Sequence, residues 1–291
     1  MIEWFILALI SAILSGTAAI FEKKVLFKEK VISFATTLAI INMVLAIPFL
    51  FLSDLSTITF TQLGILFFKS ILGAFAFLCV MQGIKKLELS SALPLLILTP
   101  GLVAIFAFIF LKESLNFLEI IGMILLLTGT YILQLKNKQK ILDPFKLLFK
   151  TKGHKYIFGA LVLFTITSIL DKTLLKNFNL PINSFMGFQH LFFAFVFIII
   201  LLISKQGNQI KPLLKRNIRW VVLISILTIF YRLSQLHAIK NASVALVLSL
   251  KRFSVLFAVI VGGKIFQEKN LLKKIISTIL MLVGTILIII F

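Results

Sequence analysis

The sequence predicts an all-α membrane protein with ten transmembrane helices, arranged as two inverted five-helix repeats. Three observations support this fold class. The chain is 60% hydrophobic and only 14% charged. Apolar runs of about 20 residues recur from end to end, and each is long enough to cross a hydrocarbon layer of ~30 Å. The second half also repeats polar landmarks of the first half at a constant spacing.

Charged and turn-forming residues separate the apolar runs and place the predicted helices in order. The helices are expected at 2–21, 31–52, 61–83, 89–111, 115–135, 156–175, 182–204, 218–238, 242–266 and 271–291. The first run has neither a basic leading region nor a small-residue cleavage site, so it is expected to be a helix and not a removable signal.

The longest polar stretch, "KNKQKILDPFKLLFKTKGHK" at 136–155, divides the chain near its middle. We therefore expect a first five-helix repeat at 1–135, a basic linker at 136–155 and a second five-helix repeat at 156–291. Within the linker, "DPFKLLFK" is either a basic amphipathic turn on the membrane surface or plain connecting chain.

Moving the second half back by 155 residues aligns helices three to five with helices eight to ten without a gap. Chance matches of Leu and Ile are common in such a chain, but matches of charged residues and of Gly-Thr are not. The matching pairs include Ile84-Lys85 with Ile239-Lys240, Glu113 with Glu268, and Gly129-Thr130 with Gly284-Thr285. Five helices per repeat would invert the second copy, and inverted repeats are typical of secondary transporters with a midplane site.

The basic residues are distributed very unevenly between the two sides of the predicted membrane. Odd-numbered loops and the adjoining helix ends carry 22 Lys and Arg residues, against 4 for the even-numbered loops. The positive-inside rule then places the odd loops in the cytoplasm and both termini outside. The net charge of +20 is explained by loop lysines that face anionic lipid, so no nucleic-acid partner is expected.

The residues that usually carry catalysis or bind metals show no recognisable pattern. Cys79 is the single cysteine, and the three histidines are scattered without metal-ligand spacing. No Walker loop, Ser-His-Asp set or paired-carboxylate site is present. We therefore expect no enzyme activity, no catalytic residue, no metal and no cofactor.

Lys251 and Arg252 stand side by side within helix nine. Lys251 lies about nine residues inside the predicted helix, or ~14 Å along its axis, which is close to the membrane midplane. Inserting two cations at the centre of a membrane helix costs roughly 5–7 kcal/mol. This is about the free energy that insertion of the 14 Leu, Ile, Val and Phe residues of 242–266 provides. The pair either contacts substrate in a solvated cavity or forms structural ion pairs. The matching positions in helix four are Leu96 and Ile97, so the scaffold itself does not require the cations.

Other intramembrane polar residues are candidates for the same cavity. In helix eight, Tyr231, Arg232 and Gln235 share one face with Thr228, although Arg232 could instead snorkel to the interface. Lys69 in helix three presents the same two alternatives. Gln189 in helix seven, with His190, either faces the cavity or makes hydrogen bonds that serve packing.

Several residues near helix ends admit a functional and a structural interpretation. Glu22 and Asp171 are candidate carriers of a coupling proton, the alternative being end-of-helix pairing with Lys23 and Lys172. Glu113 and Glu268 are candidate helix caps or dipole partners. Pro94 and Pro100 interrupt helix four, as occurs in discontinuous transporter helices or for packing alone.

The ten-helix pattern, "FLKES" after helix four, "FQEK" after helix nine and "GT" late in helices five and ten resemble the EamA-like branch of the drug/metabolite transporter superfamily. The resemblance covers essentially the whole chain and implies helices around a central cavity that opens to each side in turn. Members typically export amino acids or other small metabolites. They commonly have both termini in the cytoplasm, whereas the loop charges of this sequence predict the opposite orientation.

Helix nine also resembles the triose-phosphate and nucleotide-sugar translocators of the same superfamily. In "SLKRFSVLFAVIVGGKIF", the Lys-Arg pair matches the pair that contacts the substrate phosphate in those proteins, and Tyr231 resembles a nearby tyrosine that they use. Leu248 stands where they often carry asparagine. The resemblance implies that Lys251 and Arg252 bind a phosphate or a carboxylate.

These observations together predict a multi-pass transporter of the cell membrane that moves a small polar, anionic metabolite by alternating access. The predicted substrate-binding residues are Lys251, Arg252, Arg232, Tyr231, Gln235, Lys69 and Gln189. The alternatives are an amino-acid or metabolite exporter without anion preference and a lipid-linked carrier flippase. The expected partners are a small-molecule substrate and the lipid bilayer, and we expect a monomer.

Overall fold

The computed structural model describes residues 2–86, 99–134, 152–254 and 271–290, which form ten α-helices and no strand. Six of these helices are long and apolar enough to cross a membrane. The ten are α1 (Ile2–Leu26), α2 (Val31–Phe51), α3 (Phe60–Lys86), α4 (Thr99–Leu111), α5 (Phe117–Gln134), α6 (Lys152–Lys172), α7 (Ile182–Ser204), α8 (Ile210–Asn241), α9 (Val244–Lys251) and α10 (Leu271–Ile290).

Some features predicted from the sequence lie outside the described residues. They are the linker up to residue 151, the first part of helix four with Pro94, and the second part of helix nine with Glu268. Residues 152–155, predicted as the end of the linker, form the first turn of α6. Pro100 is the second residue of the described α4.

Helices five positions apart in chain order make equivalent contacts. The pair α3–α6 has its counterpart in α8–α1, α4–α6 in α9–α1, and α3–α7 in α8–α2. The remaining main contacts, α2–α7, α4–α9 and α5–α10, each join one helix to its own counterpart. The main contacts between the described helices are therefore the same when the two sets of five helices are exchanged.

One end of the bundle, here called the basic end, joins the end of α1, the start of α2 and the start of α8. Asn217 Nδ2 donates to Glu29 Oε1 at 2.7 Å, and Lys85 Nζ donates to the Glu29 carbonyl at 2.7 Å. Ser33 Oγ donates to the Gln206 carbonyl at 3.3 Å. Glu29 is buried, and it joins the loop after α1 to α8 through its carboxylate and to the end of α3 through its backbone carbonyl.

The other end, here called the opposite end, joins the end of α2, the start of α3, and the chain between α6 and α7. Gln62 Nε2 donates to the Phe178 carbonyl at 2.7 Å. Asp54 caps a short 3₁₀ turn at Leu55–Thr57, where hydrogen bonds from the Ser56 side chain and backbone lower the pKa of Asp54. Both loop regions are therefore fixed by side-chain contacts to neighbouring helices.

The outer surface of the bundle is apolar, and several buried hydroxyl groups inside the bundle make hydrogen bonds within their own helix. Phe51, Phe60 and Phe117 are at least 75% exposed, as is expected of side chains that face lipid. Buried hydroxyls such as Thr130, Thr228 and Thr285 donate to the carbonyl four residues earlier in their own helix.

Glycines allow α5 and α10 to approach closely. A Cβ added at Gly122 would lie 2.6 Å from the Gly284 carbonyl oxygen, and one at Gly129 would lie 2.8 Å from the Ser277 carbonyl oxygen. Small residues permit such backbone contacts between membrane helices. The Gly-Thr pairs that revealed the repeat therefore mark a helix-packing seam.

Three helices depart from the predicted boundaries. Helix eight begins at Ile210, eight residues earlier than predicted. Pro212 is tolerated there because it lies in the first turn, and the basic residues that were assigned to the preceding loop lie on the helix itself. Helix one continues to Leu26 and includes Glu22 and Lys23. The helix predicted at 242–266 is described only to Ser254, and within that part α9 ends at Lys251, Arg252 is a turn, and helical geometry resumes at Phe253.

Candidate functional site

A cavity of about 270 Å³ lies inside the bundle, between α2, α3, α6, α7, α8 and α9. All seven residues that the sequence predicted as substrate-binding line it. Other lining residues include Asn42, Thr167, Ser168, Asp171, His190 and Thr228. Helices from both halves of the chain contribute polar groups to the same space.

Asp171 joins two of the predicted cations in the cavity wall. Its Oδ1 lies 2.9 Å from Lys69 Nζ, and its Oδ2 accepts a hydrogen bond of 2.6 Å from Arg232 Nη2. Gln189 Oε1 accepts from Lys69 Nζ at 2.8 Å and from Arg232 Nη2 at 3.0 Å. These four residues, the Asp171 cluster, link α3, α6, α7 and α8.

The Asp171 cluster decides three questions that the sequence left open. Arg232 does not snorkel to the interface, because its guanidinium points inward to Asp171. Lys69 likewise points inward and is buried. The expectation that Asp171 pairs with the neighbouring Lys172 at the helix end was wrong, since successive residues of a helix project about 100° apart.

Lys251 and Arg252 lie in the cavity wall without a carboxylate partner among the described residues. Lys251 Nζ donates to Gln235 Oε1 at 2.6 Å and lies 4.8 Å from the centre of the Tyr231 ring. Arg252 Nε is buried and makes no hydrogen bond within the described part of the chain. The structural ion pairs with Asp171 or Glu22 that the sequence left as an alternative are not formed there.

The end of α9 helps to explain how the pair is tolerated. Lys251 occupies the last turn of α9, where the helix dipole favours a positive charge. The Arg252 N–H donates to the Ser249 carbonyl at 3.0 Å, which closes the helix with a tighter turn. A helix break at a cavity also leaves backbone polar groups that can contact water or a ligand.

The charge of the cavity wall is unbalanced. Its described residues include four cations, Lys69, Arg232, Lys251 and Arg252, and a single carboxylate, Asp171. The chain has 30 Lys and Arg residues, and these four are the ones that the loops and helix ends do not account for. The intramembrane cations of the sequence therefore converge on one place.

A second ion pair closes the opposite end of the bundle. Lys172 Nζ lies 3.2 Å from Glu113 Oε1 and donates to the carbonyls of Ile239 and Ala242 at 2.6 Å. Glu113 Oε2 accepts from the Val244 N–H at 3.3 Å, at the start of α9. The prediction that Glu113 caps the helix that follows it was wrong, because Asn116 and Glu119 cap α5 and Glu113 instead accepts from the first residue of α9.

Besides the ion-paired Asp171, two lining residues outside the seven predicted ones carry buried polar atoms without a hydrogen-bond partner among the described residues. Asn42 Oδ1 and His190 Nε2 are both buried and lack a hydrogen-bond partner within the described residues. Asn42 is an amide in an otherwise apolar stretch of α2, and that contrast was the available signal. His190 was predicted to serve packing or the cavity, and it lines the cavity.

Comparison with known families covers almost the whole chain. The profile of the EamA-like transporter family matches twice, at residues 2–135 and at residues 151–290. The chain belongs to the EamA-like transporter family. It is therefore a multi-pass membrane protein and a transporter of small molecules, and this family is in general not enzymatic.

A solved crystal structure, titled only as that of a protein, has the same fold as this EamA-like transporter. It matches with a TM-score of 0.71 and 15% sequence identity, over 98% of this chain and 96% of that chain. No curated protein sequence matches this chain. The structural match supports the architecture, while the site must be interpreted from its own residues.

Proposed function

We propose that this EamA-like transporter moves a small organic anion across the cell membrane by alternating access. The observation that carries the proposal is the excess of cations among the described residues of the cavity wall, four against one carboxylate. The substrate carries a carboxylate or a phosphate group. Lys69, Gln189, Tyr231, Arg232, Gln235, Lys251 and Arg252 form its site.

The two halves of the charged wall have different roles in this proposal. Asp171 contacts both Lys69 and Arg232, so this cluster is already neutralised in part. Lys251 and Arg252 have no such partner among the residues that the structure describes, and cations inside a membrane protein are costly unless a counter-charge or water satisfies them. An anionic substrate supplies that counter-charge, and a guanidinium offers it several donors.

Alternating access is supported by the packing and by the position of the cavity. The main helix contacts are the same when the two sets of five helices are exchanged, which is consistent with two inverted repeats. The Lys172–Glu113 pair closes the opposite end, whereas the cavity lining reaches Ala35, four residues into α2 from the basic end. We infer that this conformation opens toward the basic end.

Binding measurements on purified protein test the anion site. Lys251→Gln and Arg252→Gln should each weaken binding of an organic anion by roughly 10- to 100-fold, the value of a hydrogen bond to a charged group. Lys240→Gln is the matched control, because Lys240 is exposed at the end of α8. Equal affinity in all three variants and the unmodified protein would contradict the proposal.

A further inference from the structure

We propose that the substrate is an aromatic monocarboxylate without an ammonium group, an inference that rests on the anion site above. The cavity contains two layers. The charged layer consists of the Asp171 cluster with Lys251 and Arg252. The second, here called the aromatic layer, consists of Phe77, Phe164, Phe193 and Phe197.

The two layers are separated along the bundle axis in a consistent direction. Phe77 follows Lys69 by eight residues in α3, and Phe197 follows Gln189 by eight residues in α7, which is ~12 Å along each helix. Phe164 precedes Asp171 by seven residues in α6, which starts at the basic end. Each of these helices therefore places its aromatic residue on the basic-end side of its residue in the charged layer.

Three rings of the aromatic layer, those of Phe77, Phe193 and Phe197, form a connected cluster in the cavity wall. The Phe77 and Phe197 ring centres are 6.1 Å apart at an angle of 85°, and those of Phe193 and Phe197 are 6.1 Å apart. Such edge-to-face groups accept a further ring readily. Leu38, Ala35 and Ala39 of α2 complete an apolar wall beside them.

The volume and the charges restrict the ligand further. A protein cavity of roughly 150 Å³ accommodates a benzene ring, so about 270 Å³ holds a ring with a short acid chain. Asp171 already forms ion pairs with Lys69 through Oδ1 and with Arg232 through Oδ2. A substrate ammonium would find no free carboxylate among the described lining residues and would be repelled by the cations.

A matched set of four probes tests this inference on the purified full-length protein. They are 3-phenylpropionate, propionate, phenylalanine and 2-phenylethylamine, which separate the ring, the carboxylate and the ammonium. We expect 3-phenylpropionate to bind at least about tenfold more tightly than propionate, because burying a phenyl group increases affinity by at least that factor. Phenylalanine should bind more weakly than 3-phenylpropionate, and 2-phenylethylamine should not bind.

The probes distinguish failure of this inference from failure of the proposed function. Equal affinity for propionate and 3-phenylpropionate, or tighter binding of phenylalanine, would overturn the inference while leaving an anion site. Binding of 2-phenylethylamine in place of the anions would overturn the proposed function and the inference together.

Gly73 gives a way to disturb the aromatic layer alone. A Cβ at Gly73 would lie 2.9 Å from Phe193 Cζ, whereas one at Gly64 in the same helix would meet nothing within 4 Å. Gly73→Ala should shift the Phe193 ring and weaken 3-phenylpropionate binding by at least about threefold, with propionate binding unchanged. Gly64→Ala should change neither affinity.

A second variant tests the same point in case the Gly73→Ala protein does not fold. Phe193→Leu removes the ring without adding a contact and should likewise reduce only the preference for 3-phenylpropionate over propionate. If neither variant changes that preference while both remain folded, the ring of the ligand does not lie in the aromatic layer and the inference is wrong.

Discussion

Asp171 is the residue on which the electrostatics of the cavity depend. One of its carboxylate oxygens contacts Lys69 and the other contacts Arg232. Gln189 Oε1 accepts hydrogen bonds from the same two cations. Removing one partner of a buried pair is costly because the remaining charge stays buried without a counter-charge. Asp171 therefore stabilises the empty transporter and, in the same way, competes with a substrate anion for Lys69 and Arg232.

Asp171→Asn should separate these two effects. We expect the apo protein to lose roughly 3–5 kcal/mol of stability and to bind an organic anion more tightly, because the bound anion replaces the missing charge. The measurement is the Tm in detergent, with and without the anion. In the double variant Asp171→Asn with Lys69→Gln, part of the lost stability should return, because one unpaired cation is also removed.

The opposite pattern would contradict this account of Asp171. An unchanged Tm would show that the two ion pairs contribute little to stability. Weaker anion binding in Asp171→Asn would show that the carboxylate itself supports the substrate, as an ammonium-binding site would require.

Individual site residues were predictable because a charged side chain is rare in an apolar helix. Lys69, Arg232, Lys251 and Arg252 stand out in the sequence for that reason, and the structure brings all four to one cavity. The partners of Asp171 were not predictable. Its contacts come from α3 and α8. Helical periodicity predicts which residues share one face of a helix, but not which residues of two different helices lie at the same height in the bundle.

At the scale of the element, helix number and order followed from apolar length, whereas helix interruptions did not. Hydropathy treats 242–266 as one span, but α9 ends at Lys251 and turns at Arg252. Asp171 lies at a similar irregularity, since α6 passes into a π-helical turn at Thr173–Asn177. π-helical turns are frequent at functional sites, and each irregularity begins within two residues of a charged residue that lines the cavity, Asp171 or Lys251.

At the scale of the whole molecule, the two ends differ in charge and in closure. The basic end carries the Lys-rich loops, and the opposite end is fastened by Lys172 and Glu113. The positive-inside rule predicts that the basic end is cytoplasmic and that both termini are outside. The cavity, which reaches toward the basic end, would then face the cytoplasm in this conformation.

Cysteine labelling of whole cells tests this orientation. In a Cys79→Ser background, Thr57→Cys reports the opposite end and Asn208→Cys reports the basic end, and both positions are exposed. We expect a membrane-impermeant reagent to label position 57 and not position 208. Labelling of position 208 alone would reverse the orientation and place both termini in the cytoplasm, as is common in related transporters.

Counterflow in liposomes tests the central claim most directly, namely that the unpaired cations of the cavity bind a transported anion. Vesicles that contain the purified protein are loaded with unlabelled 3-phenylpropionate and given the labelled compound outside, with protein-free vesicles as the background. The account predicts accumulation of label by the unmodified protein and by Lys240→Gln, and loss of accumulation in Arg252→Gln. Equal accumulation by Arg252→Gln, or accumulation of 2-phenylethylamine in place of the anion, would contradict it.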